Sequence, residues 1–200
     1  METYYVPVGF DRGYPRGGCG LADLQQPAVG RCGQEIGLME ARVVQVNVKA
    51  AVSGERGLPK KAVQSAFVEV SGLRGDFNQY RSEKLDNELD SAVLLICRET
   101  LEAIREDGFP VEPGHLGENF TIEGIPPGML REGGQLTLGD AARVEISRAC
   151  DPCRNLEVLP YVGRERLTPF MKLLRGRRGW YARVLKEGLV RDGDPVSLVD

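Results

Sequence analysis

The sequence predicts a mainly β, barrel-like domain with a few helices. Short segments with alternating apolar residues recur from residue 41 onward and are separated by turns that contain glycine. Two further segments carry apolar residues at the spacing of an amphipathic helix. No internal repeat and no heptad pattern occurs. With 42% hydrophobic and 28% charged residues, the 200-residue chain has a globular composition, which excludes a wholly disordered protein.

The first predicted strand begins after a long stretch of different composition. Residues 1–38 hold eight of the 25 glycines and show no sustained apolar period, so they cannot bury enough surface to offset their ordering entropy. We therefore predict a glycine-rich N-terminal extension over 1–38 and a domain over 39–200, with Met39 as a candidate start. The strand that follows alternates its valines on one face: Val44, Val46 and Val48.

The remaining strands are predicted from the same period of two. In chain order they lie at Ala66–Gly72, with Val68 and Val70 on one side, around Phe120 and Ile122, at Gln135–Gly139, at Ala142–Ser147, at Trp180–Leu185 and at Pro195–Val199. The third and fourth of these form a hairpin across Gly139–Asp140, because an exposed Gly-Asp pair between two alternating runs favours a tight turn.

Two helices interrupt the strands. The first spans about 97–107, with Cys97, Leu101 and Ile104 on one face, and Gly108 ends it. The second begins at Thr168, where a capping residue precedes a proline at the first helical position, and runs to Gly176.

Charge and hydropathy exclude several classes of protein. Lys and Arg number 26 and Asp and Glu 29, a net charge of −3 that argues against a nucleic-acid partner. The longest apolar run, Ala92–Cys97, falls far short of the roughly 20 residues of a membrane span. The first residues lack the apolar core of a signal peptide. We expect a cytoplasmic protein that binds neither nucleic acid nor membrane.

The single histidine, His115, excludes other chemistry. A three-histidine zinc site and an HExxH metalloprotease helix both need more than one. His115 lies among prolines and glycines, so we expect a loop residue bonded to solvent or backbone.

The sharpest local feature is the pair Cys150 and Cys153, two residues apart after a predicted strand. As half a zinc site it lacks a second pair, because Cys19 and Cys32 have twelve residues between them. A thioredoxin-like redox pair should lie at the start of a helix in a βαβ unit, whereas the predicted surroundings of Cys150 and Cys153 are strands. A single-thiolate metal site needs one exposed thiolate in a cationic setting, which Arg148 and Arg154 would supply. A buried structural pair remains the alternative.

Two glycine turns are candidate anion sites. The loop Pro113–Thr121 lets backbone amides converge, with Asn119 as a further side-chain donor. In the turn Gly72–Asp76, Arg74 is placed to meet a phosphate or carboxylate. Either turn by itself is also an ordinary tight turn, and Lys60 and Lys61 read as surface lysines.

Taken in order, seven segments resemble the MOSC family, named for the C-terminal domain of molybdenum-cofactor sulfurases, in its bacterial single-domain type. The resemblance covers about 41–200. The matching segments are Val46-Asn-Val48, Gly57–Lys60, Gly72–Asp76, Asp90–Leu95, Pro113–Thr121, Pro152-Cys153-Arg154 and Gly179–Leu185.

The resemblance implies a β-barrel domain that binds a molybdopterin-type molybdenum cofactor. Cys153 matches the family's cysteine and would ligate molybdenum, a role suited to a soft, electron-rich thiolate. The cofactor's dithiolene would hold the metal from the other side, and the pterin and phosphate would contact Lys60, Arg74, Asn119 and Arg154. We expect Asp76 to orient Arg74 or a turn amide. The link to sulfurases also implies an association with pyridoxal phosphate and sulfur-carrier chemistry.

Three positions depart from the family pattern. Many members carry His-Gly-Gly where this chain has Leu85–Leu89, and Ser91 stands where the pattern has arginine. Cys150 is additional, and it could form a reversible disulfide with Cys153. These changes would alter one polar wall of the pocket, so the substrate cannot be carried over from the family.

Three functions follow as hypotheses. The first is a molybdenum-dependent reductase of N-hydroxylated compounds, which needs an external electron-transfer reductase because the chain has neither ferredoxin cysteine spacing nor a Rossmann fingerprint. The second is a non-catalytic carrier of cofactor or sulfur, in which Cys150 and Cys153 relay a persulfide from a cysteine desulfurase. The third is a metal-free thiol redox protein that uses the same pair.

Overall fold

A computed structural model describes residues 40–77, 86 and 88–199 of the chain. The predicted extension over 1–38, the candidate start Met39, and Leu85 and Asn87 of the segment Leu85–Leu89 lie outside the described residues. Within the described part, no helix is both long enough and apolar enough to cross a membrane.

Eight strands form one mixed sheet, so the prediction of a mainly β fold is confirmed. In spatial order they are β11 (Val196–Val199), β7 (Gln135–Leu138), β8 (Ala142–Ala149), β9 (Trp180–Lys186), β5 (Val93–Cys97), β6 (Phe120–Glu123), β1 (Arg42–Val48) and β2 (Lys61–Val63). Only β5 and β6 run parallel; the other neighbouring pairs are antiparallel. The predicted hairpin is β7–β8, with Leu138 opposite Ala142.

A second sheet of three strands has the order β10 (Gly188–Arg191), β3 (Ser65–Glu69), β4 (Gly72–Leu73). The large sheet is not closed into a barrel. Backbone hydrogen bonds nevertheless join β1, β11 and the residues that flank them: Val43 N donates to Asp194 O at 2.8 Å, and Val196 N donates to Ala41 O at 2.8 Å. These bonds bring β1 beside the edge strand β11, so the barrel-like description holds in part, without complete closure of the sheet.

Helices cover one side of this framework. Helix α1 (Arg98–Glu106) follows β5 directly, and helix α2 (Leu167–Leu173) follows a 3-10 helix at Arg154–Val158. Two further 3-10 helices lie at Leu89–Ser91 and Pro127–Met129. The main apolar cluster fills the space enclosed by the sheets, and a second lies beneath the helices, where Leu101, Ile104 and Phe170 are fully buried. Burial of two such clusters supplies the main driving force for folding.

Local departures from the predicted pattern have identifiable causes. In β1 the residues in the core are Val43 and Val46, because the register of β1 against β6 shifts between Val43 and Gln45 and this irregularity breaks the alternation. Val70 does not share a face with Val68: it lies in the turn after β3 and is 46% exposed, whereas Val68 is buried.

The helix boundaries also differ slightly from the prediction. Cys97 is the last residue of β5, not the first of α1, although it is buried as expected. In α2, Thr168 is inside the helix and Arg166 precedes it, so Thr168 is not the capping residue. The predicted ends fall within three residues of the observed ones, as is usual for helix termini.

Candidate active site

A pocket of about 200 Å³ opens where the end of β8 meets two loops. Its walls come from the segment 148–155, from the loop before β2, from β5 and from the residues around the start of β9. The lining residues are Gly57, Leu58, Lys60, Leu94, Gly117, Arg148, Ala149, Asp151, Pro152, Cys153, Asn155, Arg178 and Tyr181. Five separate chain segments therefore converge on one cavity.

Cys153 lies on the wall of this pocket. It is half-buried and ends the turn that follows β8, immediately before the 3-10 helix at Arg154–Val158. Its carbonyl accepts a hydrogen bond from Leu156 N at 3.2 Å, which fixes the backbone of the turn. Its sulfur is a free thiol and lies 3.6 Å from Nη1 of Arg178, which donates to it. Cys153 is therefore an accessible sulfur beside a fixed positive charge.

Arg178 is a buried cation at the pocket, with only 5% of its surface exposed. Nη1 donates to the carbonyl of Asp151 at 2.7 Å, and Nη2 donates to the carbonyl of Leu116 at 3.1 Å. Burial opposes the positive charge, but the thiols Cys150 and Cys153 and the phenol of Tyr181 raise the pKa of Arg178 on balance. Arg178 thus stays charged and joins two pocket loops.

The backbone places Arg178 beside Cys153 through one contact between turns. Gly179 has a φ of +90°, and its carbonyl accepts a hydrogen bond from Cys150 N at 2.9 Å. A Cβ at Gly179 would collide with the carbonyl oxygen of Leu95 in β5. Glycine is needed here because only it combines this conformation with so close an approach.

Cys150 differs sharply from Cys153. It is 1% exposed, packs against Leu94 and Tyr181, and does not line the pocket. Burial raises its pKa, although Arg178 and Tyr181 oppose the shift. Its thiol lies 3.7 Å from the carbonyl of Asp151, to which it donates. Cys150 is therefore a buried neutral thiol behind the accessible one, and both are free.

Arg148 supplies a second guanidinium to the pocket. The register of β8 against β9 shifts between Ile146 and Arg148, and such irregularities commonly redirect a side chain near a site. Nη2 of Arg148 donates to Ser91 Oγ at 2.6 Å and to a carboxylate oxygen of Glu88 at 3.1 Å. The guanidinium also lies 5.2 Å from the ring centre of Tyr181. Ser91, one of the departures from the family pattern, therefore holds an arginine that comes from another strand.

Lys60 contributes the third cation and is not a surface lysine. Its side chain is 1% exposed, and Nζ donates to Asp76 Oδ2 at 2.5 Å. Asp76 Oδ1 also accepts from Lys49 N at 2.8 Å. Asp76 thus orients a backbone amide, one of its two expected roles, and pairs with Lys60 where Arg74 was the expected partner.

Asn119 supports this ion pair from within the core. Its Nδ2 donates to Asp76 Oδ2 at 2.9 Å, and its Oδ1 accepts from Leu94 N at 3.1 Å. Asn119 is fully buried and is not among the lining residues. It therefore reaches the pocket indirectly, through Asp76 and Lys60 and through the backbone of Leu94.

The two other cofactor-binding candidates lie apart from the pocket wall. Arg74 is exposed, donates to Glu69 at 2.6 Å and stacks 4.7 Å from the ring centre of Phe67. Arg154 follows Cys153 directly, but its side chain is exposed and does not line the cavity. Of the five predicted site residues, the structure thus brings Cys153 and Lys60 together.

The loop Pro113–Thr121 is held against Lys60 by its backbone. Lys60 N donates to Gly114 O at 2.9 Å, and a Cβ on Gly114, whose φ is +88°, would come within 2.5 Å of Lys60 O. His115 in this loop accepts a hydrogen bond at Nδ1 from Glu112 N at 3.1 Å, as expected of a backbone-bonded histidine. Burial lowers the pKa of His115, so its neutral form is favoured.

Sequence reasoning missed Arg178 and Tyr181. Both lie within or next to the segment Gly179–Leu185 that carries part of the family resemblance, but Arg177 and Arg178 look alike in sequence. In the structure Arg177 is partly exposed and pairs with Asp107 at 2.7 Å, whereas Arg178 is buried. The local sequence therefore does not show which of the two arginines is buried.

The side chains at the pocket limit the kind of metal site that can form here. Among residues 40–77, 86 and 88–199, no group of three or more His, Cys, Asp or Glu side chains is placed to hold a metal ion. The pocket instead offers a single accessible thiol surrounded by cations. This set suits a metal that arrives with most of its ligands on a cofactor, because one soft sulfur can complete its coordination.

Comparison with known proteins agrees with this fold. The crystal structure of YiiM from Geobacillus stearothermophilus is 26% identical, with a TM-score of 0.61, over 80% of this chain and 75% of that one. The YUAD protein from Bacillus subtilis is 18% identical, with a TM-score of 0.66, over 80% of this chain and 96% of that one. YiiM from Escherichia coli is 21% identical, with a TM-score of 0.58, over 81% and 70%. The last two likenesses concern the fold alone.

A search among curated proteins gives no match. A family model for the MOSC domain, however, matches residues 75–197, which is more than half of the chain. This range includes the β8 turn with Cys153 and the turn with Arg178. It also covers β5 to β10 and the first two residues of β11, and the family as a whole is associated with the molybdenum cofactor. The chain therefore belongs to the MOSC domain family.

Proposed function

We propose that this domain binds a molybdopterin-type molybdenum cofactor through Cys153 and reduces N-hydroxylated compounds with electrons from an external reductase. The observation that carries the proposal is the setting of Cys153: one accessible thiol on the wall of a pocket lined by Arg178, Arg148 and Lys60. A cofactor with a negatively charged phosphate and a thiolate-seeking metal matches such a wall. When bound, the molybdenum would supply oxygen-atom acceptance coupled to two-electron transfer.

The protein side chains would bind and orient the cofactor. Cys153 would contribute the sulfur, and Arg178 would hold that sulfur through the hydrogen bond from Nη1. Lys60 would meet the pterin or phosphate from the pocket wall, and Asn119 would support it through Asp76. Arg154 would contact the cofactor from the exposed rim, beside Cys153.

Arg74 is the weakest member of the proposed set, because its guanidinium is engaged by Glu69 and Phe67. A role for Arg74 would require that these contacts open. At about 200 Å³ the pocket is also smaller than the roughly 300–1,000 Å³ of ordinary ligand sites, so it would enclose only one end of the cofactor. The rest would extend beyond the lining residues.

Two cysteine variants test this function. We expect Cys153→Ala to abolish the reduction of an N-hydroxylated base by the cofactor-loaded protein supplied with a chemically reduced dye as electron donor. Cys97→Ala is the matched control, because Cys97 is buried in β5 away from the pocket and burial raises its pKa to about 12. It should retain activity within about twofold, since it removes a core thiol that packs in β5 and donates only a weak hydrogen bond to Ile125 O at 3.6 Å. Equal activity in both variants would rule out the role of Cys153.

A second function is favoured by one specific observation, the thiol of Cys150 behind Cys153. In a sulfur carrier, the outer sulfur of a cysteine desulfurase persulfide would transfer to the Cys153 thiolate. The desulfurase cysteine would leave as a thiol, and Cys153 would hold the persulfide. Mass spectrometry after incubation with a desulfurase and cysteine would then find one added sulfur on Cys153. If the domain is instead a molybdenum-dependent reductase, no such adduct accumulates.

A further inference from the structure

The cations at the pocket are not equally neutralised. Lys60 pairs with Asp76 at 2.5 Å, and Arg148 pairs with Glu88 at 3.1 Å. Arg178, by contrast, forms no ion pair with any carboxylate among the described residues. Its two terminal nitrogens donate to the carbonyls of Asp151 and Leu116 and to the sulfur of Cys153. The carboxylate of Asp151 is exposed, and only its backbone contacts Arg178.

The hydrogen-bonding capacity of Arg178 is also not exhausted. Its Nε is fully buried and has no hydrogen-bond partner among the residues that the structure describes. A buried cation without a counter-charge, and with an unused donor, is costly to maintain in a folded protein. Such a group becomes favourable when an anion occupies the adjoining space, because charge-assisted hydrogen bonds to guanidinium are among the strongest in proteins.

We propose that the pocket contains an oxyanion subsite on Arg178, next to the sulfur of Cys153, and that it selects small ligands carrying a carboxylate, sulfonate or phosphate group. The subsite goes beyond the proposed function, because it concerns the charge of the ligand whether or not a metal is bound. Arg178 is the binding group, and Arg148 and Lys60 strengthen the positive field of the same cavity. The oxyanion comes from a substrate or from a cofactor phosphate, and the experiment separates the two.

In the test, Cys153 is alkylated by two reagents, one anionic and one neutral, and the two rates are compared. The full chain is prepared from a host that does not make the cofactor, and the Cys153 peptide is followed by mass spectrometry. Anionic iodoacetate and neutral iodoacetamide both react with the thiolate. The rate with iodoacetate divided by the rate with iodoacetamide therefore does not depend on how much of the thiol is ionised. The ratio therefore reports the attraction of an anion to the site.

We expect this ratio to exceed that of the urea-unfolded chain by at least about threefold, because a nearby buried cation attracts the anionic reagent. Arg178→Gln should lower the ratio to the unfolded value, and Arg178→Lys should keep most of it. The matched control is Arg177→Gln, which removes the neighbouring guanidinium that pairs with Asp107 and should leave the ratio unchanged. A ratio equal to that of the unfolded chain, or one that persists in folded Arg178→Gln, would overturn the proposal.

A second measurement keeps the proposal testable if Arg178→Gln does not fold. In the unmodified protein, on the order of 10 mM inorganic phosphate should slow the reaction of Cys153 with neutral iodoacetamide, as expected for a millimolar anion site. Sodium chloride at equal ionic strength should not. Absence of protection would count against the subsite.

The same phosphate probe distinguishes the two sources of the anion. If phosphate raises the melting temperature of both the cofactor-free and the cofactor-loaded protein, the subsite serves a substrate. If only the cofactor-free protein responds, the subsite serves the cofactor phosphate. Molybdenum content is measured on the same preparations, so failure of the subsite and failure of molybdenum binding are separate results.

Discussion

Glu118 is a buried carboxyl group in the loop that packs against Lys60. Its Oε1 accepts hydrogen bonds from Gly114 N at 2.5 Å and Thr121 Oγ1 at 3.3 Å, whereas its Oε2 has no partner. Burial raises the pKa of Glu118, although these hydrogen bonds and the charge of Lys60 oppose the shift. The folded protein therefore binds this proton more tightly than the unfolded chain does.

The pKa shift predicts a specific pH dependence for Glu118→Gln. A carboxyl whose pKa is raised by folding contributes stability below its unfolded pKa, near 4.5, and loses it as the pH rises through the folded value. Glutamine keeps the accepting oxygen and does not titrate. We expect the free energy of unfolding of the variant, relative to wild type, to increase from pH 4.5 to pH 8. Urea unfolding at several pH values measures this difference, and parallel pH profiles would contradict it.

The ion pair of Lys60 and Asp76 is the second residue-scale prediction. Asp76→Asn leaves Lys60 buried without this carboxylate and should lower the free energy of unfolding by about 3–5 kcal/mol. The control is Glu69→Gln, which removes the exposed partner of Arg74 and should cost less than about 1 kcal/mol. Denaturant unfolding compares the two variants, and similar losses would show that the buried pair has no special role.

At the scale of elements, the turn before β9 determines which arginine faces the pocket. Gly179→Ala forces a Cβ into the carbonyl oxygen of Leu95 and strains a φ of +90°. We expect a loss of more than about 3 kcal/mol in unfolding free energy, since backbone displacement adds to the strain. Gly176→Ala also has a positive φ, +70°, but its Cβ meets nothing within 4 Å, so about 1 kcal/mol is expected.

The two substitutions should differ in the pocket as well. Gly179→Ala should change the alkylation rate of Cys153, because Gly179 O binds Cys150 N and positions the turn. Gly176→Ala should not. Equal thermal stability of the two variants would contradict the close approach of Gly179 to β5.

Much of the element order followed from local pattern. The β7–β8 hairpin, both helices and the strands at β9 and β11 come from alternation, helical spacing and turn residues that act over a few positions. The apolar run Ala92–Cys97 was not predicted as a strand, because it carries no alternation. Structure explains the omission: all five residues of β5 are buried, as in a central strand covered on both faces. The short strands β2, β4 and β10 are defined by pairing partners that local pattern does not contain.

The site was only partly predictable for the same reason. Cys153 was found because its surroundings match a family pattern along the chain, and Lys60 because a matching turn contains it. The burial of Asn119 and of Arg178 depends on contacts between segments that are far apart in sequence. Examples are the contact of Asn119 with Asp76 and that of Arg178 with the carbonyl of Leu116. Sequence pattern over one segment does not record such contacts.

At the scale of the whole molecule, the fold places one accessible thiol, that of Cys153, where five segments of the described chain meet. The parallel pair β5–β6 brings the loop Pro113–Thr121 beside Lys60, and the antiparallel pair β8–β9 brings Cys153 beside Arg178. The proposed binding of molybdenum through Cys153 therefore depends on the complete sheet. A core substitution such as Phe120→Ala, fully buried in β6, should cost about 3–5 kcal/mol and lower cofactor retention as the pocket loosens.

The most direct test of the account is the molybdenum content of the full chain, purified from a host that makes the cofactor and measured by plasma mass spectrometry. Fluorescence of the released, oxidised pterin is recorded on the same samples. The account predicts near-stoichiometric molybdenum and pterin in the wild type and in Cys97→Ala, and loss of molybdenum in Cys153→Ala. Wild-type protein without molybdenum, from a host shown to load other molybdoenzymes, would contradict it, as would molybdenum that persists in Cys153→Ala.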